Sequence, residues 1–164
     1  MKNLILHTIV FSMVVFCLNN LQAQPIHLVE DQVPAKVKIG FEKKYPQGID
    51  VIWQKEENGL YSGQFWDADN DIYVNAYMEE DGTWSKSTME LTQQSFTEAI
   101  RQYMKVNYTD DPISNVFATQ ENNGRVTFKV QLEKGSKLIT LFFDKSANVL
   151  SKAEETINFE VTEE

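Results

Sequence analysis

Two Asn-Gly dipeptides, Asn58-Gly59 and Asn123-Gly124, each stand between runs that alternate apolar and polar residues. A two-residue hairpin turn needs positive φ at both central positions, and Asn-Gly supplies this at low steric cost. The pattern therefore predicts antiparallel strands on both sides of each dipeptide. After the first turn Tyr61, Gly63 and Phe65 share a strand face; after the second, Val126, Phe128 and Val130 do. A further strand alternates Ile72, Val74, Ala76 and Met78 against Tyr73, Asn75 and Tyr77. A later one alternates Ile139, Leu141 and Phe143 against Leu138, Thr140 and Phe142. Side chains two apart in a strand point the same way, so each run offers one apolar face to a core.

Each hairpin region follows a helical pattern. Val33, Val37, Phe41 and Tyr45 recur every four residues along one helix face, with Ile39 off the stripe. Pro34 suits the first turn, Lys43 and Lys44 the last, and Pro46 ends the helix. A second helix, from about Gln93 to Asn107, carries Phe96, Ile100, Tyr103 and Met104 on one face, with Ser95-Phe-Thr-Glu98 as a capping box and Thr92 as the alternative cap. Tyr45 and Tyr108, Trp53 and Phe117, the two Asn-Gly pairs, Met78 and Phe143, and Trp84 and Val149 stand at near-constant offsets. The expectation is an α+β fold: a tandem repeat of two units, 24–90 and 91–164, each one helix packed on a four-stranded antiparallel sheet. One helix covers one sheet face, which leaves the other to solvent or a partner.

Residues 1–23 read as a cleavable signal peptide. Lys2 is the positive end, Leu4 to Leu18 the apolar stretch, and Leu21-Gln22-Ala23 the small-residue cleavage site. Cys17 does not fit a lipoprotein site, because Phe16 before it is not small. The expected mature chain starts at Gln24, has no cysteine, and is periplasmic or secreted. The whole sequence has 15 Lys and Arg against 24 Asp and Glu, a formal charge of −9, which disfavours nucleic acid and anionic membranes as partners.

The inventory of reactive side chains is thin. His27 is the one histidine after residue 23, so histidine triads and HExxH zinc sites are excluded, and no Gly-rich phosphate loop is present. Asp67-Ala-Asp69-Asn-Asp71 has the one-three-five spacing of a calcium loop. Ile72 stands where such a loop needs glycine and Met78 where it needs glutamate, so a polar hairpin turn explains the acids more simply. An acidic calcium-binding envelope protein stays open as the alternative function. A hydrolase using paired carboxylates has only the abundance of acids in its favour. Neither catalytic residues nor a cofactor or metal are expected.

Val33-Pro34-Ala35, Phe41-Glu-Lys-Lys-Tyr-Pro46, Val51, Trp53, Glu57-Asn-Gly59 and Glu80-Asp-Gly-Thr-Trp84 together resemble the PepSY-like family of exported proteins, also described as beta-lactamase-inhibitor-protein-like and known largely from Bacteroidota. Asn123-Gly124, Leu141-Phe-Phe-Asp144 and Val149 match more loosely, and the second helix lacks the Pro-Ala start and Tyr-Pro end. The resemblance implies a non-enzymatic binding or inhibitor-like role and carries over no reactive residue. Alternation away from the apolar faces puts Trp66, Tyr73, Tyr77, Leu138 and Phe142 on the uncovered side. Aromatic side chains there are the composition of a recognition surface for a protein partner. The competing expectation is that two sheets bury these faces against each other.

Overall fold

A computed structural model describes residues 26–92, 95 and 97–157. The expected signal peptide, Phe96 and the last acidic residues lie outside them. The strands are β1 (Ile26–Leu28), β2 (Ile52–Lys55), β3 (Tyr61–Asp67), β4 (Ile72–Met78), β5 (Trp84–Glu90), β6 (Ile113–Glu121), β7 (Val126–Lys134), β8 (Lys137–Asp144) and β9 (Val149–Thr156). A 3-10 turn (Glu30–Gln32) and α1 (Ala35–Lys44) separate β1 from β2, and α2 (Glu98–Asn107) separates β5 from β6.

Among the described residues, nine strands form one antiparallel sheet in the order β1 to β9. This overturns the expected fold class of two units, each a helix on its own four-stranded sheet. The joint is the β5–β6 pair, which runs in register from Lys86 opposite Glu121 to Glu90 opposite Phe117. Two separate sheets would leave those backbone groups on exposed edges, whereas the pairing satisfies them and removes two edges prone to aberrant pairing. Asn122 N–H donates to the Ser85 carbonyl and Leu91 N–H to the Val116 carbonyl, both at 2.9 Å, extending the seam at each end. Joined edge to edge, the halves cannot stack their open faces.

Three of the hairpins, β2–β3, β4–β5 and β6–β7, are held by glycine with an Asx turn before it. In β2–β3, Gly59 N–H donates to Glu56 O, Glu56 N–H to Leu60 O, and Leu60 N–H to Asn58 Oδ1. The β6–β7 turn repeats this with Gly124, Glu121 and Asn123, and the β4–β5 turn with Gly82, Glu79 and Asp81. In these three turns only the glycines take positive φ, +86°, +83° and +88°, so Asn58 and Asn123 act through their side chains and not through left-handed backbone.

Both helices lie on the same side of the sheet. Under α1, Val33, Val37 and Phe41 pack on Trp53, Tyr61, Phe65, Val74, Ala76 and Met78. Under α2, Ile100 and Met104 pack on Val116, Val130, Leu132, Ile139, Leu141 and Phe143. Met89 touches both clusters. Thr97, and neither Ser95 nor Thr92, caps α2: its side chain accepts from Ile100 N–H at 3.3 Å. α1 sits so close to the β4–β5 hairpin that a Cβ on Gly40 would lie 2.0 Å from the Gly82 carbonyl oxygen. Beside this contact Trp84 Nε1–H donates to the buried Ser87 Oγ at 2.7 Å, and the Tyr45 hydroxyl also bonds Ser87. Burial pushes the Tyr45 hydroxyl pKa up, partly offset by these bonds.

Candidate functional site

The candidate site is the face that neither helix covers. Residues paired across neighbouring antiparallel strands point to the same side, so the register fixes which residues share it. One row runs Gln64, Asn75, Thr88, Thr119, Thr127. The next holds Trp66 opposite Tyr73 on β3–β4, then Glu90, Phe117, Lys129, Phe142 and Ser151 across β5 to β9.

The five sequence-predicted residues all lie on this face, in two groups. Trp66 and Tyr73 are 41% and 53% exposed and meet edge to face at 4.7 Å between centroids. Tyr77, four residues along β4, is half-buried; its hydroxyl accepts from Asn75 Nδ2 at 3.1 Å and Lys86 Nζ sits 4.6 Å above its ring. Burial raises the Tyr77 hydroxyl pKa, and the Glu56 carboxylate adds to the rise. Phe142 and Leu138 are half-buried on β8, Leu138 directly between Glu133 and Glu155. Four strand spacings separate β4 from β8, about 19 Å, so the two groups do not touch.

Phe117 fills the gap, a residue the sequence pattern singled out only by its offset from Trp53. The two offset partners differ in setting: Trp53 is buried against Phe41, and Phe117 is half-buried on the open face with Lys129 Nζ 4.3 Å from its ring. A register irregularity between Ile113 and Asn115 shifts β6. The signal that could have found it is the pair Val116 and Ala118, small apolar residues flanking Phe117 that are both buried.

Tyr73, Tyr77 and Phe117 line a depression of about 230 Å³, shared with Asn75, Thr88 and Glu90. Asn75 Oδ1 is buried and has no hydrogen-bond partner among the described residues. A second depression of about 280 Å³, beside Phe41 and Trp53, belongs to the helix side and has Lys38 and Glu30 at its edge, paired at 3.9 Å.

The acidic loop is bound up in its own turn. Asp67 is buried, and its carboxylate accepts from Asp69 N–H at 3.1 Å and Asn70 Nδ2 at 2.9 Å. No group of three His, Cys, Asp or Glu side chains converges as a metal would require among the described residues. His27 is exposed and pairs with Gln54 in β1–β2.

An antiparallel sheet clothed by helices on one side and, among the described residues, bare on the other defines an open-faced sheet protein. No family model matches the chain, and no curated protein matches it. Solved structures do share the fold. A DUF2874 family protein from Bacteroides ovatus superposes with a TM-score of 0.69 at 17% identity, covering 79% of this chain and 93% of its own. A BLIP-like protein from Bacteroides fragilis gives 0.66 at 17%, covering 78% and 91%. A candidate periplasmic protein from Bacteroides eggerthii gives 0.69 at 19%, covering 76% and 90%. At such identities the likeness is one of fold. Among the described residues no helix is long and apolar enough to cross a membrane.

Proposed function

We propose that the protein is exported through its N-terminal 23 residues and captures another protein on the open face of its sheet, without catalysing a reaction. The observation that carries this reading is the bare face itself, where Trp66, Tyr73, Tyr77, Phe117, Leu138 and Phe142 stand on one continuous sheet. Aromatic anchors of this kind concentrate binding energy, about 2 kcal/mol or more each when truncated. The fold shared with a BLIP-like protein and a candidate periplasmic protein supports the same reading. Membership of the PepSY-like family is part of this proposal, supported by the Val33-to-Pro46 and Glu80-to-Trp84 stretches. The bonds already made by Asp67 weigh against calcium at the 67–71 loop.

The test replaces Tyr73, Tyr77 and Phe142 together by serine and measures capture of the partner recovered from the native envelope fraction. Capture is lost while circular dichroism stays that of a folded sheet. A folded triple variant that still captures its partner sinks the proposal. Capture that survives these changes and fails on replacing Asp67, Asp69 and Asp71 would favour the metal-binding alternative.

A further inference from the structure

Resting on the open face as the docking surface, we propose that the depression beside Tyr73, Tyr77 and Phe117 receives one arginine side chain from a basic segment of the partner protein. Size is the first ground. At about 230 Å³ it falls below the ~300–1,000 Å³ of sites that enclose a small molecule, so it suits one side chain inserted from a larger body.

Chemistry is the second ground. Asn75 Oδ1 is a buried acceptor with no donor among the described residues. A buried polar atom left unpaired costs stability, so a ligand that brings an N–H to it gains what the free protein lacks. Glu90, in the same lining, is exposed and forms no ion pair among the described residues. The walls already show an affinity for cations. Lys86 sits over the Tyr77 ring at 4.6 Å and Lys129 over the Phe117 ring at 4.3 Å, while among the described residues no cation lies above Tyr73, which is more than half exposed. A planar guanidinium can stack on that ring and direct its N–H groups to Asn75 and Glu90 together.

Charge is the third. A carboxylate from an acidic partner could use Lys86 and Lys129, but it would meet a chain of formal charge −9 and the exposed Glu133 and Glu155 further along the same face. A basic partner meets attraction from the net charge of the chain and from Glu90, while Lys129, in the same lining, is held over the Phe117 ring.

The experiment titrates the exported protein with N-acetyl-arginine amide, its neutral citrulline isostere and N-acetyl-glutamate amide, following amide chemical shifts. Arginine produces saturable shifts at the Asn75 side-chain amide and at the Thr88 and Phe117 backbone. Citrulline binds more weakly, and Glu90→Gln weakens arginine about two- to fivefold, the range for an exposed ion pair. Equal responses to arginine and citrulline, a response to glutamate instead, or no response at these residues overturns the proposal. Loss of partner capture in the triple serine variant, with no arginine response in the wild type, overturns the arginine receptor and leaves the open-face reading standing. Capture that survives the triple change overturns the open-face reading itself.

Discussion

The ground beneath α1 and the ground beneath α2 solve the same packing problem with different materials. Under α1 the contacts are aromatic: the Phe41 ring lies 5.1 Å from Trp53, 5.3 Å from Phe65 and 5.6 Å from Tyr45. Under α2 they are mainly aliphatic, with Ile100 and Met104 on Val130, Leu132, Ile139 and Leu141. α1 also touches backbone directly, through Gly40 on the β4–β5 hairpin, while α2 contains no glycine. Large flat rings meet at fixed angles and resist sliding, and a glycine contact fixes separation. Aliphatic side chains fill space with less geometric demand. The difference teaches that α1 is positioned by shape and α2 by burial.

The sharpest way to break that contrast is Gly40→Ala. Its methyl would meet a carbonyl oxygen that cannot rotate away, so the cost exceeds the ~1–3 kcal/mol of ordinary overpacking. The melting temperature is expected to fall by ~10 °C or more. A melting curve that matches wild type would mean that α1 does not rest on the hairpin.

Trp53→Ala and Ile100→Ala come next and should be made as a pair. Removal of the buried indole costs ~3–5 kcal/mol and removal of the isoleucine ~2–5 kcal/mol. Near-ultraviolet circular dichroism separates them: the tryptophan variant loses much of its aromatic signal, and the isoleucine variant keeps it. Equal loss in both would show that the two clusters, linked through Met89, behave as one.

The smallest effect concerns the edge of the α2 half. Lys152 at 2.8 Å and Lys137 at 2.9 Å hold the Glu154 carboxyl down to about 2, below its ordinary 4.5. A carboxyl whose folded value is depressed gives stability that is complete above the ordinary value and lost as pH falls through the lower one. Protection of β9 amides against hydrogen exchange should therefore weaken between about pH 4.5 and 2, and Glu154→Gln should flatten that dependence. A profile unchanged by the substitution would leave the two ion pairs without influence on the edge strand.

Much of this could be read from local pattern. The Val33–Val37–Phe41–Tyr45 stripe gave α1, with Val37 and Phe41 buried and Ile39 exposed as spaced. Alternation separated Val74, Ala76 and Met78 from Tyr73 and Tyr77 on β4. Long-range pairing was beyond local pattern. The edge of β5 carries Ser85, Lys86, Ser87 and Thr88, and nothing in their identities names β6 as the partner. One missed pairing turned a continuous sheet into two. It also hid the depression, whose walls come from β4 and from β6 across that seam. The offset that pairs Phe117 with Trp53 does not carry their facing over, because a shift of one residue reverses every side chain in a strand. Asn75 is a neutral amide in an apolar alternation, and only the structure reveals that one of its atoms lacks a partner.

The order of the strands in space is the order in which they occur along the chain. Each strand finds its neighbour across a short turn or across the loop that carries a helix, and none waits for a segment synthesised much later. Low sequence separation between contacting residues keeps the entropy of loop closure small and speeds folding. Such a chain can assemble from whichever end appears first, adding strands one after another. A half-emerged molecule then already possesses a correct, growing template.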